Sequence, residues 1–391
     1  MNILIFSYNF PPDIGAGSFR ISALADELAL NEEVKSLTVI TATPNRYNTH
    51  APRWTKNDKE HYKIVRFWVP RLPSKFIFSA IAYSFFFIQA LIYSVFYFKK
   101  INIVFATSSR SMTIFLGSLV SYTKRAELII DIRDIFSETL PEILFKKNNN
   151  LGLFIQKIFK RFEIYSINRA SRVIQVSPMF FDYYKVHSSK WTTATNGIDK
   201  IFLESRYKES HEVGKNEERE KYNIVYAGNV GAAQCLDKII PQVAMQRPNF
   251  HFHVYGSGSG LSSMKIASKS QNIHLHEPIP REELIPIYQT ADLLFLHLDE
   301  LTAFKRVLPS KIFEYAVYNK PIVAGLQGYV VDFIKENLNG FFIFTPNDVQ
   351  GCILSIEKAL EFTSEIDNNN FSNYYSRKNQ VLKMVNCILE N

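Results

Sequence analysis

The sequence predicts an α/β protein made of two Rossmann-like, doubly wound parallel-sheet domains facing a cleft. Three observations carry that expectation. The chain has 391 residues, too many for one ordinary core. Short apolar runs alternate with helical patterns in two successive series. A charged stretch without apolar periodicity, LESRYKESHEVGKNEEREKY at 203–222, separates the two series. Hydrophobic residues make up 47% of the chain and aromatic residues 14%, which excludes wholesale disorder.

The first series is NILIFS, SLTVITA, KIVRFWV, INIVFA, ELIIDI and RVIQVS. The second is YNIVYAG, FHFHVYG, NIHLHE, DLLFLHL, KPIVAG and GFFIFT. Buried strands alternating with helices imply parallel sheets with right-handed crossovers. The connection is expected near TNGIDKIF, Thr195 to Phe202. This places an N-terminal domain at 1–197, a second domain at 198–365, and a C-terminal helix at 366–391 packing back across the lobes.

Cys235, Cys352 and Cys387 are odd in number and far apart, which argues against a disulfide framework or a metal knuckle and for a reducing, cytoplasmic compartment. MNILIFSYNF lacks a basic leader region and reads as a first strand. Residues 1–190 hold 25 Lys/Arg against 14 Asp/Glu, while the whole chain carries +8, so the basic excess belongs to the first half. Nucleic acid, anionic lipid and phosphorylated substrate are all candidate partners for such a surface. Phe76 to Phe98 contains no charge and is flanked by Lys75, Lys99 and Lys100. Its length suits a membrane span, yet it falls between two strands of one expected sheet. A helix at 76–98 that covers the sheet and dips an aromatic face into a membrane interface is therefore expected.

GAGSFR follows the first strand. A dinucleotide fingerprint needs a third glycine and an acid after the second strand, and TVITATPNRY has no acid, so NAD and FAD are not expected. Gly15 and Gly17 instead lead into a helix at 18–30 whose first N–H groups attract anionic oxygen, with Arg20 adding positive charge. Its alternative reading is an ordinary surface arginine. In FKRVLPSKIFEYAVYNKPIVAG, Pro309 pre-sets a helix start and Ser310 and Lys311 occupy the first turn, a combination suited to a diphosphate. Glu314, one turn on, is placed to accept from a ribose diol.

These stretches, with DIRDIFSETLPE, VIQVSP, TNGIDKIF, VYAGNVGAAQCLD and VYGSGSG in the same order, resemble the retaining glycosyltransferases of the GT-B fold, family 4, of the bacterial O-antigen and capsular polysaccharide type. The resemblance implies a nucleotide-sugar donor, expected to be a UDP-sugar. The implied acceptor is a polyprenyl-diphosphate-linked glycan bound by the N-terminal lobe. It further implies no metal and no separate cofactor. Glu314 matches the second of two family glutamates, which binds the ribose, while Arg306 replaces the first. Arg133-Asp134 stands where many members have His-Asp, so no histidine base is assigned. The expected machinery is then electrostatic. Lys311, Ser310 and Arg306 meet the diphosphate, and Gly15, Gly17, Asn229, Gln234 and Gly256 line the donor. Asp134 and Glu138 orient sugar hydroxyls or the acceptor, and Arg20 and Arg133 face acceptor or phosphate. The enzyme would work in the cytoplasm at the inner face of the cell membrane.

His251/His253 and His274/His276 alternate within strands without a carboxylate or thiol at ligand spacing, so they do not read as a metal site. Trp54, Trp68 and Trp191 read as packing. Nucleotide-sugar epimerisation or hydrolysis on the same fold remains an alternative, as does a non-catalytic, membrane-docking partner of a glycosyltransferase. Nucleic-acid binding ranks last, because no recognition motif accompanies the basic excess.

Overall fold

The computed structural model describes residues 1–13, 15–44, 61–70, 76–108, 111–145, 150–206 and 220–390. Trp54, Lys75 and most of the charged 203–222 stretch lie outside them. The chain divides into two compact units, Met1–Asn196 with Arg377–Asn391, and Gly197–Ser376.

The first unit holds β1 (Asn2–Phe6), β2 (Ser36–Ala42), β3 (Lys63–Phe67), β4 (Ile103–Thr107), β5 (Glu127–Ile132), β6 (Arg172–Gln175) and β7 (Lys190–Thr193). They form one parallel sheet in the order β3-β2-β1-β4-β5-β6-β7, with Ile5 of β1 opposite both Val39 and Phe105. β7 was not expected from the sequence. It is a four-residue edge strand whose residues are all at least partly exposed, so KWTT carries no buried run to reveal it.

The helices within Met1–Asn196 that accompany this sheet, among the described residues, are α1 (Ala16–Ala29), α2 (Phe76–Tyr97), α3 (Ser111–Lys124), α4 (Phe136–Phe145), α5 (Asn150–Arg169) and α6 (Met179–Tyr184). α2 buries Tyr83, Phe86, Ala90 and Ser94 on one side, and Phe86 meets the edge of Tyr8 with ring centroids 5.3 Å apart. The strands on either side of α2 in sequence, β3 and β4, belong to the same sheet, so α2 lies on that sheet. Lys124 of α3 donates to the carbonyls of Val95 and Phe98, satisfying carbonyls that the end of α2 leaves open.

The second unit contains β8 (Tyr222–Ala227), β9 (Phe250–Tyr255), β10 (Ile273–His276), β11 (Leu293–His297), β12 (Ile322–Gly325) and β13 (Phe341–Phe344). All pair in parallel, in the order β10-β9-β8-β11-β12-β13. Its helices are α7 (Lys200–Ser205), α8 (Leu236–Gln246), α9 (Leu261–Ala267), α10 (Arg281–Thr290), α11 (Ser310–Tyr315), α12 (Tyr329–Asn337), α13 (Val349–Leu360) and α14 (Asn369–Tyr374). The single helix expected at 366–391 is two helices. α14 belongs to the second unit, while α15 (Arg377–Leu389) belongs to the first, where it packs on α1 and β6 and Arg172 donates to the Cys387 carbonyl.

Arg20 lies inside the first unit. Its side chain is 1% exposed and its guanidinium grips Asp131 of β5, itself fully buried, with Nη2 2.9 Å and Nε 3.3 Å from the two carboxylate oxygens. Thr107 of β4 donates to the same carboxylate at 3.0 Å, and Arg20 also donates to the Thr195 carbonyl. This corrects both sequence readings of Arg20, as a phosphate-facing group and as a surface residue. A buried carboxylate 111 residues away claims the charge.

The four strand histidines stack in a ladder on one face of β9 and β10. His251 Nδ1 lies 3.3 Å from His274 Nε2, His253 Nδ1 lies 3.3 Å from His276 Nε2, and the Tyr255 ring stacks on His276 at 4.2 Å. Among the described residues no group of three His, Cys, Asp or Glu is placed to hold a metal.

Two outcomes follow from this packing. Asp131→Ala, which leaves Arg20 buried and unpaired, should destabilise the first unit by about 3–5 kcal/mol. The double change Arg20→Met with Asp131→Leu should recover much of that loss. Denaturant titration of the three chains tests this, and a single variant as stable as the parent rejects the anchoring role. In the second unit, burial followed by repulsion from neighbouring imidazoles lowers the pKa of His251, His253 and His276, that of His253 to about 4. The unfolded chain takes up these protons first, so stability should fall as pH drops from about 6.5 towards 4. Melting curves across that range should show the loss, reduced in His253→Phe.

Candidate active site

In open parallel sheets the crevice for a ligand opens at the carboxyl ends of the strands, where the strand order reverses. In the second unit that point lies between β8 and β11. The loop after β8 carries Asn229 and Gln234, and the segment after β11 leads through Arg306 to Ser310, Lys311 and Glu314. The residues singled out from the sequence thus lie on both sides of one switch point.

Lys311 and Glu314, three apart on α11, form an ion pair of 2.7 Å, with side chains 20% and 13% exposed. Tyr288 of α10 donates to the same carboxylate oxygen at 2.7 Å and accepts from the Lys311 ammonium at 3.1 Å. Arg281, at the start of α10, places Nη2 3.7 Å from the other Glu314 oxygen, pairs with Asp199, and rests over the Phe202 ring. Burial lowers the Lys311 pKa, partly offset by Glu314. Burial alone would raise the Glu314 carboxyl, yet Lys311 and then Arg281 bring it below its ordinary range. The result is a carboxylate held ionised and aimed, next to an ammonium already partly stripped of water.

The turn is tied back to the sheet. The Tyr315 hydroxyl accepts from Ala227 N at 3.1 Å at the end of β8, and a Cβ at Gly228 would meet Lys311 Cε at 3.4 Å. α11 itself is short, six residues tightening into a 3-10 turn over Ala316–Tyr318. The positive field at Ser310 is therefore weaker than a long helix would provide, and the charged side chains dominate. Arg306 ends a 3-10 turn, Thr302–Arg306, and is half-buried.

Asn229 and Gln234 bond to one another, Nδ2 to Oε1 at 2.9 Å, and Gly231 N also donates to Gln234. This fastens the loop after β8, leaving Asn229 exposed. Gly256 is required by packing. A Cβ there would fall 1.8 Å from the Gly228 carbonyl oxygen, and Val230 donates to the Ser257 carbonyl at 2.9 Å, so the two glycine loops lie backbone against backbone.

In the first unit the order reverses between β1 and β4. The loop after β1 carries Gly15 into α1, and a Cβ at Gly17 would collide with the Arg133 guanidinium at 1.9 Å, so Arg133 crosses the start of α1. Arg133 N donates to Ser108 Oγ at 2.8 Å, joining the loops after β5 and β4. Asp134 precedes α4, and Glu138 sits buried in its first turn. In the first unit Gly15 and Gly17 thus stand at the start of α1 with Arg133 across them, Asp134 lies on the loop after β5 and Glu138 in the first turn of α4, while Arg20 is withdrawn into the interior.

Sequence reasoning missed the partners of this framework. Arg281 and Tyr288 lie seven apart, two turns along one helix face, and that spacing in REELIPIY was the available signal. Glu163 of α5 had none. Its carboxylate accepts from Ser137 N at 3.2 Å in the first turn of α4 and from the Tyr184 hydroxyl at 3.0 Å, and burial raises its pKa to about 7.

Residues 221–361 match the protein family described as Glycosyl transferases group 1. No curated protein matches the chain by sequence. Among solved structures, the chain is similar to Anabaena HepE in complex with UDP and glucose, with a TM-score of 0.69 at 15% identity, covering 100% of this chain and 99% of that one. WaaG, a glycosyltransferase involved in lipopolysaccharide biosynthesis, gives 0.65 at 12% identity over 100% of both chains. A UDP-N-acetylglucosamine 2-epimerase homologue from Listeria monocytogenes gives 0.53 at 10% identity, over 99% of this chain and 95% of that one. The fold is GT-B, and its second unit carries the group 1 glycosyl transferase pattern across the Lys311–Glu314 turn.

Proposed function

We propose that the chain is a retaining, metal-independent glycosyltransferase that moves a sugar from a UDP-sugar to a polyprenyl-diphosphate-linked glycan in bacterial surface polysaccharide synthesis. The observation that carries this reading is the Lys311–Glu314–Tyr288–Arg281 cluster, set at the switch point inside the region that matches the group 1 family. The likeness to HepE, solved with UDP and glucose, supports the donor class, and that to WaaG, a glycosyltransferase involved in lipopolysaccharide biosynthesis, supports a surface-polysaccharide role.

In this reading Glu314 accepts from the two ribose hydroxyls, held in place by Tyr288 and Arg281. Lys311, already short of water, neutralises the diphosphate as the bond from the anomeric carbon to its oxygen breaks. The acceptor hydroxyl forms its bond on the face the diphosphate leaves, and its proton passes to the departing phosphate oxygen. Arg306 adds charge to the same diphosphate. Asn229 and Gln234 line the donor in the second unit, and in the first unit Gly15, Gly17 and Arg133 offer polar backbone and charge to phosphate or acceptor while Asp134 and Glu138 orient sugar hydroxyls. Retention and a cytoplasmic location, peripheral at the inner face of the cell membrane, belong to the same proposal.

The likeness to an epimerase homologue favours a second reading, in which the nucleotide sugar is isomerised or hydrolysed without transfer. Incubation with a UDP-sugar and a lipid-linked acceptor separates the two. A new glycosidic bond supports transfer, whereas an epimer or free sugar alone supports the second reading.

Glu314→Ala should weaken UDP binding about ten- to a hundredfold, the loss of charge-assisted hydrogen bonds to the ribose. Lys311→Ala should reduce transfer more than Glu314→Gln does, because it removes the charge that meets the leaving group. Calorimetric titration with UDP and single-turnover rates measure both. Parental affinity and turnover in all three variants would defeat the site.

A further inference from the structure

The sequence reading puts the helix at 76–98, α2, at a membrane interface, and the proposed function puts the chain at a membrane, but α2 is only part of the exposed apolar surface on its side of the first unit. α2 leaves Ile81, Phe85, Ile88, Ile92 and Phe96 exposed at spacings of three and four. α5 does the same with Leu151, Phe154, Ile158, Phe162 and Tyr165, a stripe of equal pitch along its whole length. Phe115 of α3 joins the two, stacked 6.4 Å from Phe87 of α2 and lying 4.9 Å from Phe162 and 6.0 Å from Tyr165 of α5. The aromatic surface therefore runs without a break from α2 across α3 to α5.

Among the described residues of α2, α3 and α5, the exposed charges have one sign. Lys157 and Arg161 lie on exposed positions of α5 beside its apolar stripe, and Lys99 and Lys100 follow α2. Glu163 is the one acid in the sequences of α2, α3 and α5, and it is buried, turned inward to cap α4. A second protein surface would have to supply both apolar area and a uniformly acidic rim. An anionic bilayer offers both in one plane.

We propose that α5 is a second membrane-docking element, and that α2, α3 and α5 together form one surface that lies on an anionic bilayer with α5's apolar stripe inserted to the headgroup boundary. α5 then has two working faces, the outer one in lipid and the inner one holding the start of α4 through Glu163. This rests on the membrane-facing part of the proposed function and extends it from one helix to three.

Flotation of the full chain with vesicles of phosphatidylcholine, with and without phosphatidylglycerol, tests the proposal. The parent should float with the phosphatidylglycerol vesicles only, and less as salt is raised. Phe154→Glu with Ile158→Glu, or Lys157→Glu with Arg161→Glu, should each weaken binding about tenfold or more. UDP affinity, read by thermal shift on the same preparations, should stay parental, because these positions are exposed and lie outside the donor site. Variants that float like the parent, a parent that ignores phosphatidylglycerol, or an apolar stripe that instead pairs two copies in a dimer abolished by Ile158→Glu would each overturn it. Loss of UDP binding by the parent itself would strike the proposed function alone, since flotation does not depend on it.

Discussion

A carboxylate sealed inside a sheet must be neutralised, and the first unit is arranged around that demand. Asp131 ends β5 with no exposure, so Arg20 is drawn inward from α1 and Thr107 supplies a further donor from β4. The guanidinium's remaining reach goes to the carbonyl of Thr195, two residues beyond β7. One ion pair thereby fixes α1, the two central strands and the end of the sheet-forming chain against each other. Because Arg20 lies three residues after Gly17, the same contact sets how α1 begins, and so where Arg133 can pass over Gly17. The polar loops that gather at the first switch point inherit their positions from a charge pair that never meets solvent.

The second unit solves a similar problem in the opposite sense. Glu314 has two cations near it and a tyrosine hydroxyl on one oxygen, all from α10 and its own helix. Its side chain is still 13% exposed and that of Lys311 20% exposed, so the cluster reaches the surface rather than closing on itself. A fully buried pair such as Arg20–Asp131 stores specificity of fold, while a pair left ajar offers ionised groups to a ligand at low desolvation cost. Side-chain exposure of 13–20% against 1% or less, not the presence of a salt bridge, separates the candidate site from the structural pair.

That distinction also marks what the sequence made legible. The strand runs were readable because inner parallel strands are buried on both faces and appear as near-continuous apolar segments, while edge and near-edge runs such as KIVRFWV and FHFHVYG still alternate in β-rich residues; all twelve expected runs fall on strands of the two sheets. β7 escaped because an edge strand needs no such run. Ser310, Lys311 and Glu314 were readable because proline, a first turn and a one-turn spacing are local chemistry. Arg20 was misread for the complementary reason. Its local setting, a glycine loop opening a helix, matches an anion site, and its partner lies 111 residues away in the chain. Arg281 and Tyr288 were passed over for a related reason, since their seven-residue spacing in REELIPIY marks a shared helix face but not the carboxylate on α11 that they meet. Gly256 was read as a donor contact, and its backbone lies so close to the next loop that an added Cβ would fall 1.8 Å from the Gly228 carbonyl oxygen, a constraint the sequence does not display.

The basic excess of the first half now resolves into populations with different physics. Some of its cations are consumed by the fold. Arg20 is sealed with Asp131, Arg66 is half-buried with its guanidinium on the Pro11 carbonyl, and Lys124 closes the end of α2. These are short-range and insensitive to salt. Lys99, Lys100, Lys157 and Arg161 are exposed, lie on or just after helices whose outer faces are aromatic, and have no acid among those helices except the inward Glu163. Net charge alone could not separate these groups, which is why nucleic acid, lipid and phosphorylated substrate looked equivalent from composition. Isoleucine and leucine lie among the aromatic rings of both stripes, an aliphatic filling that suits acyl chains better than the polar edges of nucleic-acid bases. The apolar filling, more than the charge, decides what the surface meets.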